Sequence, residues 1–172
     1  MYGIPHVATG DMIREMKELP TELGRELKVV YDRGDLVSDE LIVRLIRDRL
    51  SRGDTLGGFV IDGFPRTMVQ AEELDDLLRE LGRRLDVVFD LQVPDRNELL
   101  QRIVKRADEE KRSDDTPEAI QRRLELYDQA TAPLIEYYRS TQGNVVGIHA
   151  DRSIEEVFHE IEQSLSSVEA RT

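Results

Sequence analysis

Asp62 and Arg66 stand four residues apart in the stretch Gly58-Phe59-Val60-Ile61-Asp62-Gly63-Phe64-Pro65-Arg66-Thr67. A carboxylate can act on a metal-bound phosphate, and a guanidinium fork matches phosphate oxygens in pairs. Arg14, Arg102, Arg106, Arg112 and Arg123 fall near expected element ends or beside a charged run. Several guanidinium groups in one cleft repel each other unless a polyanion sits among them. Phosphoryl transfer uses such a clamp, because charge spreads over the transferred group in the transition state. A plainer reading stays open on residue types alone: a strand end with a surface ion pair, and arginines that are solvated one by one.

The elements that must position these groups follow from periodicity. Phe59, Val60 and Ile61 suit a buried strand, and Gly63 and Pro65 end it. Asp62 and Arg66 then lie at the carboxyl end of a parallel strand, where open α/β sheets bind ligands. Ile4 to Ala8 is an earlier strand that runs into a helix, with Thr9 or Asp11 as its cap and Arg14 one turn in. Leu19 to Asp32 is helical, with Leu23, Leu27, Val30 and Tyr31 on one face, and Gly34 stops it. Ser38 caps a helix carrying Leu41, Ile42, Leu45, Ile46 and Leu50.

After Arg66 comes a helix striped by Leu74, Leu77, Leu78 and Leu81. Val87 to Val93 is the next strand, and Asn97 to Lys105 the next helix. Residues 105–116 hold almost nothing apolar and read as a solvated excursion or turn. Thr116 followed by Pro117 marks a strong helix start, with a kink expected near Pro133. Val145 to His149 is the last strand. Ser153 caps a final helix through Val157, Ile161 and Leu165, with a frayed tail beyond. Strands alternating with helices predict an α/β fold, a three-layer parallel sheet with helices on both faces.

Composition narrows the partners. A length of 172 residues predicts one domain. A net charge of -12 argues against duplex nucleic acid, which needs a basic footprint. There is no Cys, so thiolate metal sites and disulfides are excluded. His6, His149 and His159 show no ligand spacing. No apolar run approaches the roughly 18 residues of a membrane span. The start of the sequence has no signal-peptide pattern, so a cytoplasmic protein that engages no membrane is expected.

The sequence resembles the adenylate kinase family, in its short-lid form. The matching stretches are YGIPHVATGDMIR (2–14), ELG (22–24), GDLVSDE (34–40), GFVIDGFPRTMVQAE (58–72), LQVPD (91–95), RIVKR (102–106), RSDDTPEAIQRRLELYDQATAPLIEYY (112–138) and the last strand and helix. The resemblance implies a phosphate-loop nucleoside monophosphate kinase fold and the reaction ATP + AMP ⇌ 2 ADP, with Mg2+. It puts AMP on Thr9, Arg14, Asp35, Leu36, Val37, Gly63, Phe64, Pro65, Arg66, Gln70, Arg112 and Arg123. Arg14 and Arg66 would grip its phosphate, Gln70 would bond the adenine edge, and backbone groups at 35–37 and 63 would line the site. Arg112 and Arg123 would clamp the phosphates in transit, and with Arg66 and Arg106 form the catalytic set. Arg102, Arg106 and Arg152 would serve ATP, and Asp62 would act on the Mg2+ through water. It implies a monophosphate-binding insert at about 8–37 and a short lid at about 105–112 without zinc. A monomer is expected. Closing both flaps would exclude water and with it hydrolysis of ATP.

One departure accompanies the match. No GxxxxGK occurs in these 172 residues. The family begins with a strand, that glycine-rich loop and a helix, and this sequence starts where the helix ends. Met1 falls at an ordinary helix position, which fits an internal start and an N-terminally shortened product. The absent strand would be central, between the strands at 59–62 and 87–93, and its loss would leave backbone groups unpaired. The ATP half would also lose the loop's backbone donors and Lys. Three outcomes follow: an active kinase, a non-catalytic AMP-binding module, or an inactive fragment. Within the kinase class UMP, CMP or GMP is the alternative acceptor, although Thr9 before Gly10 and Gln70 look adenine-selective.

Overall fold

The computed structural model of the chain describes residues 3–112 and 114–169, with the side chains of 168 and 169 outside it. Met1, Tyr2 of the first matching stretch, Ser113 beside Arg112, and the last three residues of the expected frayed tail lie outside the described residues. In chain order the elements are β1 (His6–Ala8), α1 (Thr9–Lys17), α2 (Glu22–Asp32), α3 (Asp39–Leu50), β2 (Val60–Asp62), α4 (Met68–Glu80), β3 (Val88–Gln92), α5 (Arg96–Glu109), α6 (Pro117–Leu126), α7 (Pro133–Thr141), β4 (Val145–His149) and α8 (Ile154–Glu169). They form two compact units. One is Met1–Arg83 with Ser113–Ala132, and the other is Arg84–Arg112 with Pro133–Thr172.

The alternation of strands and helices holds, and every strand pair is parallel. Among the described residues the strands form two separate two-stranded ladders and not a single sheet. β1 pairs only with β2, in the register His6 to Val60 through Ala8 to Asp62. β3 pairs only with β4, from Val88 with Val145 to Gln92 with His149. Strand pairing is set by contacts far apart in sequence, so a period-2 pattern gives a strand but not its neighbour.

The first unit carries most of the core. Val7 from β1 and Ile13 from α1 are buried with Leu27, Ile42, Ile46 and Leu50 from α2 and α3. The predicted stripe on α4 is buried at Leu74, Leu77 and Leu78, while Leu81 is the half-buried C-cap. Gly34 stops α2 as expected. Its φ is +78°, and a Cβ there would lie 2.4 Å from the Ala119 carbonyl, so both backbone and space demand glycine. Thr116 caps α6 by accepting from the Ala119 N–H at 3.2 Å, with Pro117 at the first turn. Ser153 and Glu156 cap α8 reciprocally, at 3.3 and 3.0 Å.

Three local expectations are corrected. Neither Thr9 nor Asp11 caps α1: the N-cap is Ala8, without a side-chain bond. The Thr9 hydroxyl instead donates to the Asp62 carbonyl at 3.1 Å, tying the start of α1 to the end of β2. Residues 105–109 are not an excursion but the last turns of α5. No residue of α5 is buried, and the helix is carried by pairs one turn apart, Glu98 with Arg102 and Lys105 with Glu109. Charged straight-chain residues are good helix formers without any apolar face. The expected kink at Pro133 takes the form of a π-helical turn, Tyr127–Thr131, after which Pro133 opens α7.

Candidate functional site

In the first unit, Thr9, Gly10 and Ile13 of α1 face one cavity together with Tyr31, Asp35, Leu36, Val37, Ile42, Gly63, Arg66 and Gln70. The local sequence explains the convergence. The parallel β1–β2 ladder ends at Ala8 and Asp62, so α1 and the loop after β2 leave from the same sheet edge. Gly63 turns the chain there with a φ of +76°, and a Cβ on it would sit 2.7 Å from Thr9 Oγ1. Phe64 is buried beneath the loop, and its peptide to Pro65 is cis.

Arg66 is half-buried, and its Nε donates to the Gly63 carbonyl at 2.9 Å. Burial, and then the neighbouring Arg123 cation, push this guanidinium below its ordinary value, against the pull of Tyr31 and Asp62. A cation held this way gains from an anion in the cavity. Arg14 is oriented by Asp11 and by the Tyr31 hydroxyl, to which it donates at 2.8 Å. Burial lowers its affinity for the proton, but Tyr31, Asp11 and Asp114 outweigh that and hold it above the ordinary value.

Gln70 is 3% exposed and fully oriented. Its Oε1 accepts from the Arg66 backbone N–H at 2.7 Å and its Nε2 donates to Asp39 Oδ1 at 2.7 Å. An N–H only donates and a carboxylate only accepts, so the amide cannot be flipped. One N–H and one lone pair remain for a base edge. Asp39 also accepts from Thr67 at 3.0 Å, and Thr67 caps α4.

Arg123 of α6 joins this unit through Asp114 at 3.0 Å, through Asp115, through the Tyr31 carbonyl at 3.3 Å and over the Tyr31 ring at 5.2 Å. The structure therefore brings Arg14, Arg66 and Arg123 to the surroundings of one tyrosine. The remaining expected residues belong to the second unit. Arg102 pairs with Glu98 on α5 and donates to the Ala150 carbonyl, and Arg106 lies in the last turn of α5. Arg112 pairs with Glu110, and Arg152 lies 3.7 Å from Glu160.

Asp62 is an exposed carboxylate at the end of β2, 3.5 Å from His6. Among the described residues no group of three or more His, Cys, Asp or Glu could hold a metal. One open carboxylate suits a Mg2+ that arrives on nucleotide phosphates and keeps most of its waters, rather than a resident ion.

Sequence reasoning missed Tyr31, Asp39, Thr67, Lys17, Asp114 and Asp115. Thr67-x-x-Gln70 is a capping pattern that could have drawn attention to the pair. The burial of Lys17, at 6% exposed, has no sequence signature.

Helices, parallel strands and a cavity at a strand's carboxyl edge, with Arg66 in its wall and Arg14 and Arg123 gathered about its Tyr31, define an α/β protein with a place for a small ligand. Comparison with known proteins makes this specific. A family model described as adenylate kinase matches residues 1–143. An adenylate kinase of Maricaulis maris (strain MCS10) is 46% identical over 155 residues, 90% of this chain and 81% of that protein. One of Thermobifida fusca (strain YX) is 44% identical over 165 residues, 96% of this chain and 86% of the relative. One of Cyanothece sp. (strain PCC 7425 / ATCC 29141) is 47% identical over 142 residues, 83% and 72% of the two chains. The chain belongs to the adenylate kinase family of phosphotransferases.

Proposed function

We propose that this chain binds AMP in the cavity of the first unit and takes part in the reversible reaction ATP + AMP ⇌ 2 ADP. The observation that carries the proposal is the cavity wall. Thr9, Asp35, Leu36, Val37, Gly63, Arg66 and Gln70 are seven of the residues assigned to AMP by resemblance, and they line one space. Arg14 and Arg66 grip the phosphate, and Gln70 offers its remaining N–H and lone pair to the adenine edge. Arg66, Arg106, Arg112 and Arg123 make up the phosphate clamp, and Arg102, Arg106 and Arg152 the ATP side. Such a reaction needs no covalent intermediate, only two nucleotides held in line.

Mg2+ comes with ATP and neutralises phosphate charge, with Asp62 acting on it through water. The proposal includes one adenylate kinase-like domain with an insert at about 8–37, a lid at about 105–112 and a monomeric, cytoplasmic protein. It also includes a phosphate-loop kinase fold whose central strand is not among these residues. The separate β1–β2 and β3–β4 ladders support that last point.

The test is ADP formation by the purified chain from ATP, AMP and Mg2+, beside an Arg66→Ala version prepared identically. We expect ADP from the parent and a loss of about a hundredfold or more in the variant, the effect of removing one electrostatic clamp. Equal background in both would remove the catalytic half of the proposal. Replacing AMP by UMP, CMP or GMP in the same assay tests the acceptor, and a faster reaction with any of them would overturn the adenine assignment.

A further inference from the structure

Tyr31 occupies a position that the sequence presents only as one of four residues on a helix face. Its hydroxyl accepts from Arg14 at 2.8 Å and stands at the start of α1, where a Cβ on Gly10 would approach it to 3.4 Å. The ring is pinned by two cations, with Lys17 Nζ 5.0 Å and Arg123 Cζ 5.2 Å from its centre. Lys17 is itself fixed by Asp32 at 2.6 Å and Asp114 at 3.6 Å. Cations are attracted to the face of an aromatic ring, so this tyrosine is held from its ring as well as its tip.

A phenol that accepts one hydrogen bond still has its own proton to give. In Tyr31 that proton lies in the wall of a cavity shared with Arg66. Arg14 and Arg66 supply charge, but each already spends donors inside the protein, on Asp11 and Tyr31 and on the Gly63 carbonyl. A phosphate monoester has three terminal oxygens with several lone pairs each, more than those arginines saturate.

We propose that Tyr31 is a phosphate-binding residue of the monophosphate cavity, its hydroxyl donating to a terminal phosphate oxygen of the nucleotide while Arg14 holds that hydroxyl in place. This rests on the reading of the cavity as the AMP site. The ring would also hold Arg123 close to the same phosphate. A phenylalanine keeps the ring and both cation contacts and deletes only the hydroxyl.

The experiment is a chemical-shift titration of parent and Tyr31→Phe with AMP and, separately, with adenosine, alongside thermal melts. One hydrogen bond to a charged group predicts that the variant binds AMP about tenfold more weakly. Adenosine affinity should stay unchanged, because it does not involve the phosphate, and the melting midpoint should fall by no more than the loss of the one Arg14 hydrogen bond implies. AMP binding equal to the parent's would overturn the role of Tyr31 and leave the site reading intact. Equal losses for AMP and adenosine would also overturn it, since the hydroxyl would then act on the cavity's shape. A parent that does not bind AMP would overturn the site reading, and the Tyr31 proposal with it.

Discussion

Gln70 is oriented before any ligand arrives, and Asp39 does the orienting. The carboxylate takes one bond from the amide and one from Thr67, so the base edge of the proposed ligand would meet a fixed donor and acceptor. Deleting that partner leaves a buried amide N–H unsatisfied, at a cost of about 1–3 kcal/mol, and leaves the Arg66 N–H alone to hold the amide. Asp39→Ala is therefore expected to reduce preference for AMP over GMP by up to about tenfold, since a side chain held at one end only presents its donor and acceptor less rigidly. Dissociation constants for the two nucleotides check this, and an unchanged ratio would show that Gln70 does not set the base preference. Arg66 was legible because its residue type beside Asp62 carries chemistry, whereas Thr9 and Gln70 entered the site only through the family resemblance. Asp39 and Tyr31 were not legible, because their partners lie 31 and 17 residues away. What brings them to the cavity is a side-chain contact across helices, and periodicity sees only the face on which each one sits.

At the level of elements, α1, α2 and the segment before α6 are joined by buried charge. Lys17 closes on Asp32 and Asp114, and Arg123 closes on Asp114 and Asp115. Removing one partner of a buried pair leaves the other uncompensated and costs about 3–5 kcal/mol. Asp114→Ala should lower the denaturation midpoint accordingly, whereas an exposed pair such as Arg79 with Asp76 should be nearly silent. The same cluster sets an acid limit. Burial raises the Asp114 carboxyl, but Arg123 and Lys17 outweigh it and hold the group below its usual range. Burial acts on Asp32 likewise and is outweighed by Lys17 and Lys28. A carboxyl depressed by folding contributes stability that is fully present above its unfolded value, about 3.9, and is lost as pH falls through the folded value. Urea midpoints should hold from neutrality to about pH 4 and then fall, with a flatter fall in Asp114→Asn. An identical acid limb in that variant would remove Asp114 as the sensor. The helices were legible one by one because Thr116, Ser153 and Gly34 mark their ends chemically. The extension of α5 to Glu109 was not, because a helix stabilised by its own charge pairs looks like a loop when only apolar residues are counted. Periodicity did not show the division into two ladders, since register depends on which strands meet; only the family resemblance suggested a gap between the strands at 59–62 and 87–93.

Across the whole molecule the apolar core is unevenly shared. Of the buried apolar side chains among the described residues, Leu134, Tyr138 and Ile148 alone belong to the second unit, and α5 contributes none. The first unit buries Val7, Ile46, Leu50, Leu74, Leu77 and others, and adds the charge cluster. On α8, Ile154 is 84% and Phe158 54% exposed. Opening free energy follows the apolar surface that an element buries, so segments with little buried surface exchange their amides without global unfolding. Amides of α5 and α8 are therefore expected to exchange through local openings, at least tenfold faster than those of α3 and α4. AMP should widen the gap, because a ligand stabilises the state that binds it by mass action, and its proposed site lies in the first unit. Exchange followed residue by residue, with and without AMP, checks both parts. Uniform rates across α3, α4, α5 and α8 would mean that the two units open together and that buried apolar area does not order stability in this molecule. Slower exchange in α5 and α8 alone on adding AMP would place the nucleotide in the second unit, against the cavity assignment.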